Sequence, residues 1–361
     1  MASDKQYTLK DILAKFDIDT KIEVYGNGHI NDTYLCETSP KFILQRINTQ
    51  VFKNPDNVME NIYNVTCHVR EKIKQAGGNP DRETLNVITT KDGDIFYKHE
   101  DGSCFRMYKF VDDSVSYDIA DRPVILTNAG IAFGRFQRML SDFPAEKLHE
   151  TIVDFHNTPE RVKQLRTAME NDAAGRLESV KEEVEFALEY SKYASEIVDA
   201  MAKGEVLLRV THNDTKLNNV LFDAKTDAGV CVIDLDTVMP GSVLYDFGDA
   251  LRFGASSCAE DETDMSRIWF DLEKFEAFAK GFLSEVSDCL TEKEIELLPL
   301  SALLMTYECG IRFLADYLNG DTYFKIHREK HNLDRARNQF ALVRDIESKF
   351  GAMSEIVKKY I

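Results

Sequence analysis

The pattern of hydrophobic and polar residues changes near residue 110. Before that point, short segments of alternating apolar residues predict strands. They cover residues 21–24, 33–37, 41–47, 87–90, 94–99 and 104–111. One helix is predicted between them, over 56–76, whereas after residue 126 the helical period dominates, including a long segment over 178–203. We therefore expect an α+β protein with a β-rich lobe over 1–110 and a mainly helical lobe over 111–361.

Length and charge narrow the possible partners. At 361 residues the chain exceeds what one core usually organises, which agrees with two lobes. Its 44 basic and 62 acidic residues give a formal charge of −18, which repels nucleic acid and anionic membranes. The longest apolar stretch, around Leu297 to Met305, contains Pro299 and is a poor candidate for a membrane span. We expect neither nucleic acid nor membrane as a partner.

The cysteines and the N-terminus predict a cytoplasmic protein. The seven cysteines are odd in number and scattered, and none forms a CxxC pair. Such cysteines are typical of reduced thiols in the cytoplasm. The first residues lack the basic-then-apolar pattern of a secretory signal.

Candidate chemistry concentrates between residues 208 and 252. His212-Asn213-Asp214 is followed by Asn219, the spacing of a kinase catalytic loop in which Asp precedes a metal-binding Asn by five residues. Asp234 comes directly after a short β-branched run, at the expected end of a strand. Phosphoryl transfer needs one carboxylate on the attacking hydroxyl and other oxygens on magnesium. We assign Asp214 to the hydroxyl, and Asn219 and Asp234 to Mg²⁺.

Other polar residues of this block have predicted supporting roles. His212 is expected to brace the loop, and Lys216 to reach the γ-phosphate and stabilise charge during transfer. Asp236 either joins the metal shell or has a structural role. Asp246 and Asp249 are expected to cap and brace neighbouring backbone at a helix start. The acidic stretch 260–264 is interpreted as a solvated loop or helix start rather than a metal site.

This block resembles the aminoglycoside phosphotransferase and choline kinase superfamily, whose members use a bilobal protein-kinase-like fold on small molecules. Segments across nearly the whole chain are also similar to the N-acetylhexosamine 1-kinases. They read YGNGHINDTYL, FILQRINTQVF, RMYKF, THNDTKLNN, IDLDTVMPGS, YDFGDALR and RFLADYLNGDTYFKI. The resemblance implies transfer from ATP, with Mg²⁺, to the anomeric hydroxyl of N-acetylglucosamine or N-acetylgalactosamine. We expect a monomer or weak homo-oligomer whose partners are ATP and the sugar.

The resemblance also implies which residues contact the nucleotide. The turn with Gly26, Asn27 and Gly28 matches the loop that covers the phosphates, although a glycine-containing hairpin turn explains it equally well. Tyr108 and Phe110 match the lobe hinge, whose backbone would hold adenine.

Four residues match sugar-binding positions of the resembling family; the first two would face the sugar, and the last two would hold its hydroxyls and N-acetyl group. They are His29, Asn31, Arg312 and Tyr323. The alternative for the last two is ordinary, a helix-surface arginine and a packed tyrosine.

One residue departs from the kinase pattern. Gln45 stands where a strand lysine would bind phosphate, and the adjacent Arg46 should face the opposite side of the strand. Either the register slips by one residue, or Lys216 and the metal carry more of the phosphate charge. Glu60 is the candidate for the usual glutamate partner on the following helix. This departure keeps a nucleotide-binding pseudokinase open as an alternative, although the set of Asp214, Asn219 and Asp234 argues against it. A kinase of another small acceptor, such as an aminoglycoside, choline or another sugar, is the other alternative.

Overall fold

The first third of the chain forms an antiparallel sheet with helices on its faces. The computed structural model describes residues 7–26 and 30–361. The elements of this part are α1 (Leu9–Lys15), β1 (Ile22–Val24), β2 (Asp32–Cys36), β3 (Phe42–Ile47), α2 (Pro55–Gln75), α3 (Pro80–Glu83), β4 (Val87–Ile88), β5 (Tyr97–Lys98) and β6 (Cys104–Lys109). The strands are ordered β1-β2-β3-β6-β4, and β5 also pairs with β6. All six predicted strands are present, the fourth and fifth much shorter than predicted.

The register between β3 and β6 decides which residues face the rest of the protein. Leu44 pairs with Met107, and both pack into a small core covered by α1, a helix that the sequence reading did not predict. Because side chains alternate along a strand, the neighbouring pair Gln45 and Arg106 points to the other face of the sheet. This face contacts the second part of the chain.

The second part is mainly helical and carries two small sheets. Its elements are β7 (Ser114–Val115), α4 (Pro123–Met139), α5 (Thr158–Asn171), α6 (Lys181–Tyr190), α7 (Glu196–Ala202), β8 (Arg209–Thr211), β9 (Val220–Asp223), β10 (Gly229–Val232), β11 (Met239–Gly241), α8 (Val243–Gly254), α9 (Leu272–Val286), α10 (Glu292–Leu318), α11 (His331–Ser348) and α12 (Phe350–Lys359). One sheet has the order β10-β9-β7, and the other pairs β11 with β8. The exact lobe boundary at residue 110 stays a prediction.

The segment 178–203 is not one continuous helix, contrary to the sequence reading. α6 and α7 are separated by a 3-10 turn over Ser191–Tyr193. The Ser191 hydroxyl donates to the Leu188 carbonyl (2.6 Å), and the change of direction brings Tyr193 beside Tyr190. Both phenol groups donate to the Glu347 carboxylate on α11. These tertiary contacts favour the break over the local helical period.

The longest helix, α10, lies in the core of the second part. It begins with a capping box between Thr291 and Glu294 and continues through Pro299. Its length and composition would suffice to cross a membrane, but 89% of its most apolar window is buried inside the protein. α10 is therefore a core helix.

Glycines allow α4 and α9 to approach closely. A Cβ atom on Gly281 would lie 2.0 Å from the Thr127 carbonyl oxygen. We expect Gly281→Ala to lower the free energy of unfolding by about 1–3 kcal/mol, because the helices must move apart. Urea denaturation measures this change. The control is Gly351→Ala on α12, where nothing lies within 4 Å and Ala should stabilise the helix slightly. Equal effects of the two substitutions would contradict the explanation.

Candidate active site

The loop after β8 is shaped by a left-handed residue and a buried histidine. Asn213 has φ of 64°, a conformation that Asn tolerates better than most residues. Its side-chain amide donates to the Thr237 carbonyl (2.9 Å). The His212 ring contacts the Ile233 carbonyl through Nε2 (2.8 Å) and packs edge-on against Phe133. The predicted bracing role of His212 is confirmed.

Two buried carboxylates on α8 fix the backbone of the same loop. Asp246 accepts hydrogen bonds from the backbone amides of His212 (2.9 Å) and Asn213 (2.8 Å). Asp249 accepts one from the amide of Thr215 (3.0 Å). The predicted bracing by both carboxylates is therefore confirmed, whereas the helix start itself is capped by Ser242. They hold the backbone on both sides of Asp214.

The three residues assigned to the reaction centre lie together. The Asn219 side-chain amide donates to the Asp214 backbone carbonyl (2.8 Å) and to its carboxylate (3.2 Å). The backbone carbonyl of Asn219 accepts a hydrogen bond from the backbone amide of Ile233 (2.8 Å), which places Asp234 next to the loop. Asp234 itself is left-handed, with φ of 59°, so the chain turns sharply at the end of β10.

The donor set of Asn219 and Asp234 fits magnesium. Neither the Asn219 amide oxygen nor the Asp234 carboxylate accepts a hydrogen bond from any residue that the structure describes. Asp234 is exposed to solvent, although the surrounding protein is dense enough to disfavour the charge of its carboxylate. Burial, together with the charges of Asp236 and Asp214, raises the pKa of Asp234 to about 6. Oxygen ligands with concentrated negative charge are what Mg²⁺ prefers.

Lys216 pairs with the proposed proton acceptor. Its Nζ lies 2.7 Å from the Asp214 carboxylate and 5.6 Å from the centre of the Phe253 ring. Burial opposes the charge of Lys216, but the attraction of Asp214 outweighs it and raises the pKa of the lysine. A positive charge is thus held beside the point where the hydroxyl would lose its proton. Its predicted contact with the γ-phosphate stays a prediction.

Gln45, at the position where kinases carry a strand lysine, is hydrogen-bonded to an arginine. Its amide oxygen accepts hydrogen bonds from Nε (3.0 Å) and Nη2 (2.8 Å) of Arg106 on the paired strand. The Arg106 guanidinium also forms an ion pair with Asp236, and its side chain is 1% exposed. Sequence reading missed Arg106, because only the pairing of β3 with β6 brings it beside Gln45. The ion pair with Arg106 agrees with a structural role for Asp236, one of the two roles considered for it.

Arg46 and Glu60, which were considered for the lysine and glutamate roles of the kinase pattern, both contact other residues. Arg46 pairs with Asp32 on β2 (3.1 Å), as expected for a side chain on the opposite face. The register therefore does not slip. Glu60 contacts His149 (2.9 Å) in an exposed position, so its proposed role as a partner near Gln45 is wrong.

The predicted nucleotide residues are partly described. Gly26 has φ of 74°, which explains glycine at this turn. The Phe110 amide donates to the Lys41 carbonyl (3.0 Å), and its ring packs edge-on against Tyr25 near the turn. Tyr108 is buried beside Arg106. Asn27, Gly28 and His29 lie outside the described residues.

The predicted sugar residues do not all meet. Arg312 lies between the rings of Phe155 (5.7 Å) and Phe324 (5.5 Å) and forms no hydrogen bond or ion pair with any described residue. Tyr323 is 71% exposed and packs against Phe324. Asn31 instead donates to Asp236 (2.6 Å). No hydrogen bond joins Asn31 to Arg312 or Tyr323 in the described part of the chain.

A histidine that the sequence reading missed connects this aromatic group with the catalytic loop. His156 packs against Phe155 and contacts the Asn213 carbonyl through Nε2 (3.4 Å). Its Nδ1 lies 2.8 Å from the carboxylate of buried Glu308. Burial opposes the charge of Glu308, but the imidazole outweighs it and lowers the pKa of that carboxyl. Separated by 152 positions, the pair left no local signal.

The family comparison agrees with this arrangement. Residues 21–278 match the phosphotransferase enzyme family, APH. This range covers more than half of the chain and contains Gly26, Gln45, Arg106 and the loop from Asp214 to Asp236. The chain therefore belongs to the phosphotransferase enzyme family, and its fold is the bilobal α+β fold that the sequence predicted.

Solved structures share this fold at low identity. A microcompartment-associated aminopropanol kinase matches with a TM-score of 0.63 at 15% identity, over 96% of this chain and 98% of that one. An aminoglycoside phosphotransferase from Alicyclobacillus acidocaldarius matches with 0.65 at 12%, over 99% and 98%. A choline/ethanolamine kinase family protein from Mesorhizobium loti matches with 0.55 at 14%, over 94% and 92%. These likenesses establish the fold and leave the acceptor open.

Proposed function

We propose that this phosphotransferase is an ATP-dependent N-acetylhexosamine 1-kinase that converts N-acetylglucosamine or N-acetylgalactosamine to the sugar 1-phosphate. The observation that carries the acceptor is the guanidinium of Arg312, which lies over two phenylalanine rings and forms no hydrogen bond or ion pair with any residue that the structure describes. An unpaired cation with flat apolar neighbours suits an acceptor that offers both hydroxyl oxygens and an apolar face. N-acetylated sugars have both features.

The proposed reaction follows from the roles of Asp214 and Lys216. The anomeric oxygen forms a bond to the γ-phosphorus, the bond from that phosphorus to the bridging oxygen breaks, and ADP leaves. The anomeric proton passes to the Asp214 carboxylate, which Asn219 and Lys216 hold in place. Mg²⁺, when bound by Asn219 and Asp234, would neutralise phosphate charge. An anomeric hydroxyl is more acidic than an ordinary alcohol, so late proton transfer suffices.

Positive charge near Arg312 supports a neutral acceptor. Arg161 holds the Phe155 carbonyl with Nε (3.3 Å) and Nη2 (2.8 Å). Burial and the nearby charge of Arg312 lower the pKa of Arg161, and the carboxylates of Glu308 and Asp154 act in the opposite direction. The two guanidinium groups disfavour a cationic acceptor such as choline or a polyamine at this place, although the carboxylate of Glu308 offsets part of their charge.

A kinase of an amine-bearing acceptor is the second candidate, favoured by a different observation. A cavity of about 280 Å³ lies along the segment that contains His156, with Glu150 and Asp154 among its lining residues and Tyr245 on its wall. An ammonium group would suit these carboxylates. Both carboxylates already accept local hydrogen bonds, from the Asp154 amide and from Asn157, which weakens this reading.

The test is ADP release with ATP, Mg²⁺ and a panel of acceptors, with phosphorus NMR on the product. The panel holds N-acetylglucosamine, N-acetylgalactosamine, glucose, galactose, choline, 1-amino-2-propanol and kanamycin. We expect turnover on the acetylated sugars and an anomeric phosphate signal. Turnover only on an amine would favour the second candidate, and silence across the panel would favour a pseudokinase.

Arg312→Gln tests the acceptor site separately. We expect KM for the sugar to rise roughly 10-fold or more, because a hydrogen bond from a charged group is lost, while KM for ATP stays the same. Steady-state kinetics with each substrate varied in turn measures both constants. Arg337→Gln is the control, since Arg337 pairs with Glu183 away from the site. An unchanged sugar KM in Arg312→Gln would remove Arg312 from the acceptor site.

A further inference from the structure

Three contacts connect the first sheet and α2 with the loop that follows Asp234. Arg106 on β6 forms an ion pair with Asp236. Asn31, which directly precedes β2, donates to the other oxygen of the same carboxylate (2.6 Å). Asn61 on α2 donates to the Val238 carbonyl (2.9 Å). Both partners on the loop, Asp236 and Val238, lie within four residues of the proposed metal ligand Asp234.

We propose that Arg106 and Asp236 are positioning residues. Their ion pair takes the place of the pair between a strand lysine and a helix glutamate, which this chain lacks because position 45 is Gln. Their ion pair connects the first sheet to the metal loop and so sets the position of Asp234 for Mg²⁺ and the nucleotide. This inference rests on the Mg²⁺ and nucleotide part of the proposed function and does not depend on the acceptor.

The hydrogen bonds of Arg106 show why it positions rather than binds phosphate. Nε and Nη2 donate to Gln45, and Nη1 donates to Asp236 and points at the Met59 sulfur (4.0 Å). With 1% of the residue exposed, the guanidinium has no open face toward a ligand. Gln45 therefore has a defined task. Its amide oxygen accepts two donors from an arginine, an arrangement that a lysine at position 45 would repel.

Asp236 is equally occupied. One carboxylate oxygen accepts from Arg106 and the other from Asn31, and the residue is 3% exposed. A metal ligand needs an oxygen free to face the ion, as Asp234 offers. Asp236 therefore acts through its neighbour two positions earlier. Residues that orient a metal ligand without touching the metal typically change metal affinity roughly 10–100-fold when they are substituted.

The experiment separates positioning from simple structural support. Thermal unfolding and calorimetric titration with ADP, with and without Mg²⁺, are measured for wild type, Arg106→Gln, Asp236→Asn and the double variant. Each single variant leaves a buried partner without its counter-charge or donor and should unfold at a lower temperature. The double variant should regain much of the unfolding temperature. Its affinity for Mg·ADP should still be about 10–100-fold below wild type.

Two further variants sharpen the result. Arg106→Lys keeps the charge opposite Asp236 and should bind Mg·ADP more tightly than Arg106→Gln. Arg46→Gln is the matched control, a strand arginine whose partner Asp32 is exposed on the other face, and should bind as wild type does.

Three outcomes would overturn the inference. A double variant that regains both unfolding temperature and Mg·ADP affinity would reduce the pair to structural support. Wild-type affinity in Asp236→Asn would exclude it from positioning. Wild-type protein that binds no Mg·ADP would contradict the proposed nucleotide as well. Because no acceptor enters the titration, a wrong sugar assignment would appear only in the acceptor panel.

Discussion

Asp214→Asn should lower kcat by roughly 10²–10⁴-fold, the usual contribution of a positioned proton acceptor. Asparagine keeps the shape of the side chain, and the hydrogen bond from Asn219 can persist. It cannot accept the proton of the attacking hydroxyl, and it no longer pairs with Lys216. Affinity for the nucleotide should change little, since Asp234 and Asn219 remain. Single-turnover kinetics and calorimetric titration measure the two quantities.

Asp118→Asn is the control for this substitution. Asp118 is exposed and contacts Asn218, next to the catalytic loop but outside the reacting set. It should keep wild-type kcat. Turnover of Asp214→Asn close to wild type would remove Asp214 from its role, and a pseudokinase would show no difference between the two variants.

The reaction centre could be predicted because its signal is local in the sequence. Asp214, Asn219 and Asp234 lie within 21 consecutive positions, and the hairpin of β9 and β10 returns the chain to the loop. The bracing by Asp246 and Asp249 spans 34 positions, and it was predicted because carboxylates at the start of a helix commonly accept hydrogen bonds from neighbouring backbone. The strands of the first sheet also follow from local alternation.

The position of Arg106 could not be predicted, because it depends on pairing between distant strands. Nothing in the sequence around residue 106 distinguishes it from a surface arginine, and the apolar residues on both sides predict only a strand. The register of β3 against β6 places it beside Gln45, 61 positions earlier. An unexpected neutral residue at position 45 was the one available signal.

The residues of the acceptor site were predicted from the family resemblance, and only some of them lie where a common acceptor site would need them. The Arg312 side chain forms no hydrogen bond or ion pair with any described residue, as expected for a ligand-binding residue. Both ends of the Asn31 side-chain amide are used, by the Asp236 carboxylate and by the backbone amide of Asn48. Phe155 and His156, in the turn before α5, meet Glu308 on α10, and no periodicity of the sequence predicts this contact. This explains why the chemistry could be predicted more fully than the substrate.

Asp234→Asn should lower kcat/KM by roughly 10²–10³-fold, because charge stabilisation of the transferred phosphoryl group is lost with the metal ligand. The same substitution should raise the unfolding temperature. The Asp234 carboxylate has no hydrogen-bond partner among the described residues and lies near two other carboxylates, so neutralising it removes repulsion. Asparagine also tolerates the left-handed backbone at this position. A more stable and less active variant is typical of a residue retained for function.

The control is Asp113→Asn, because Asp113 is also left-handed, with φ of 53°, and is exposed. It should change neither activity nor unfolding temperature appreciably. Thermal unfolding without ligand, and ADP titrations over a range of Mg²⁺ concentrations, distinguish the two variants. Asp234→Asn should need more Mg²⁺ for the same ADP affinity. If it instead unfolds at a lower temperature and binds Mg·ADP normally, Asp234 stabilises the loop and the metal site must be sought elsewhere.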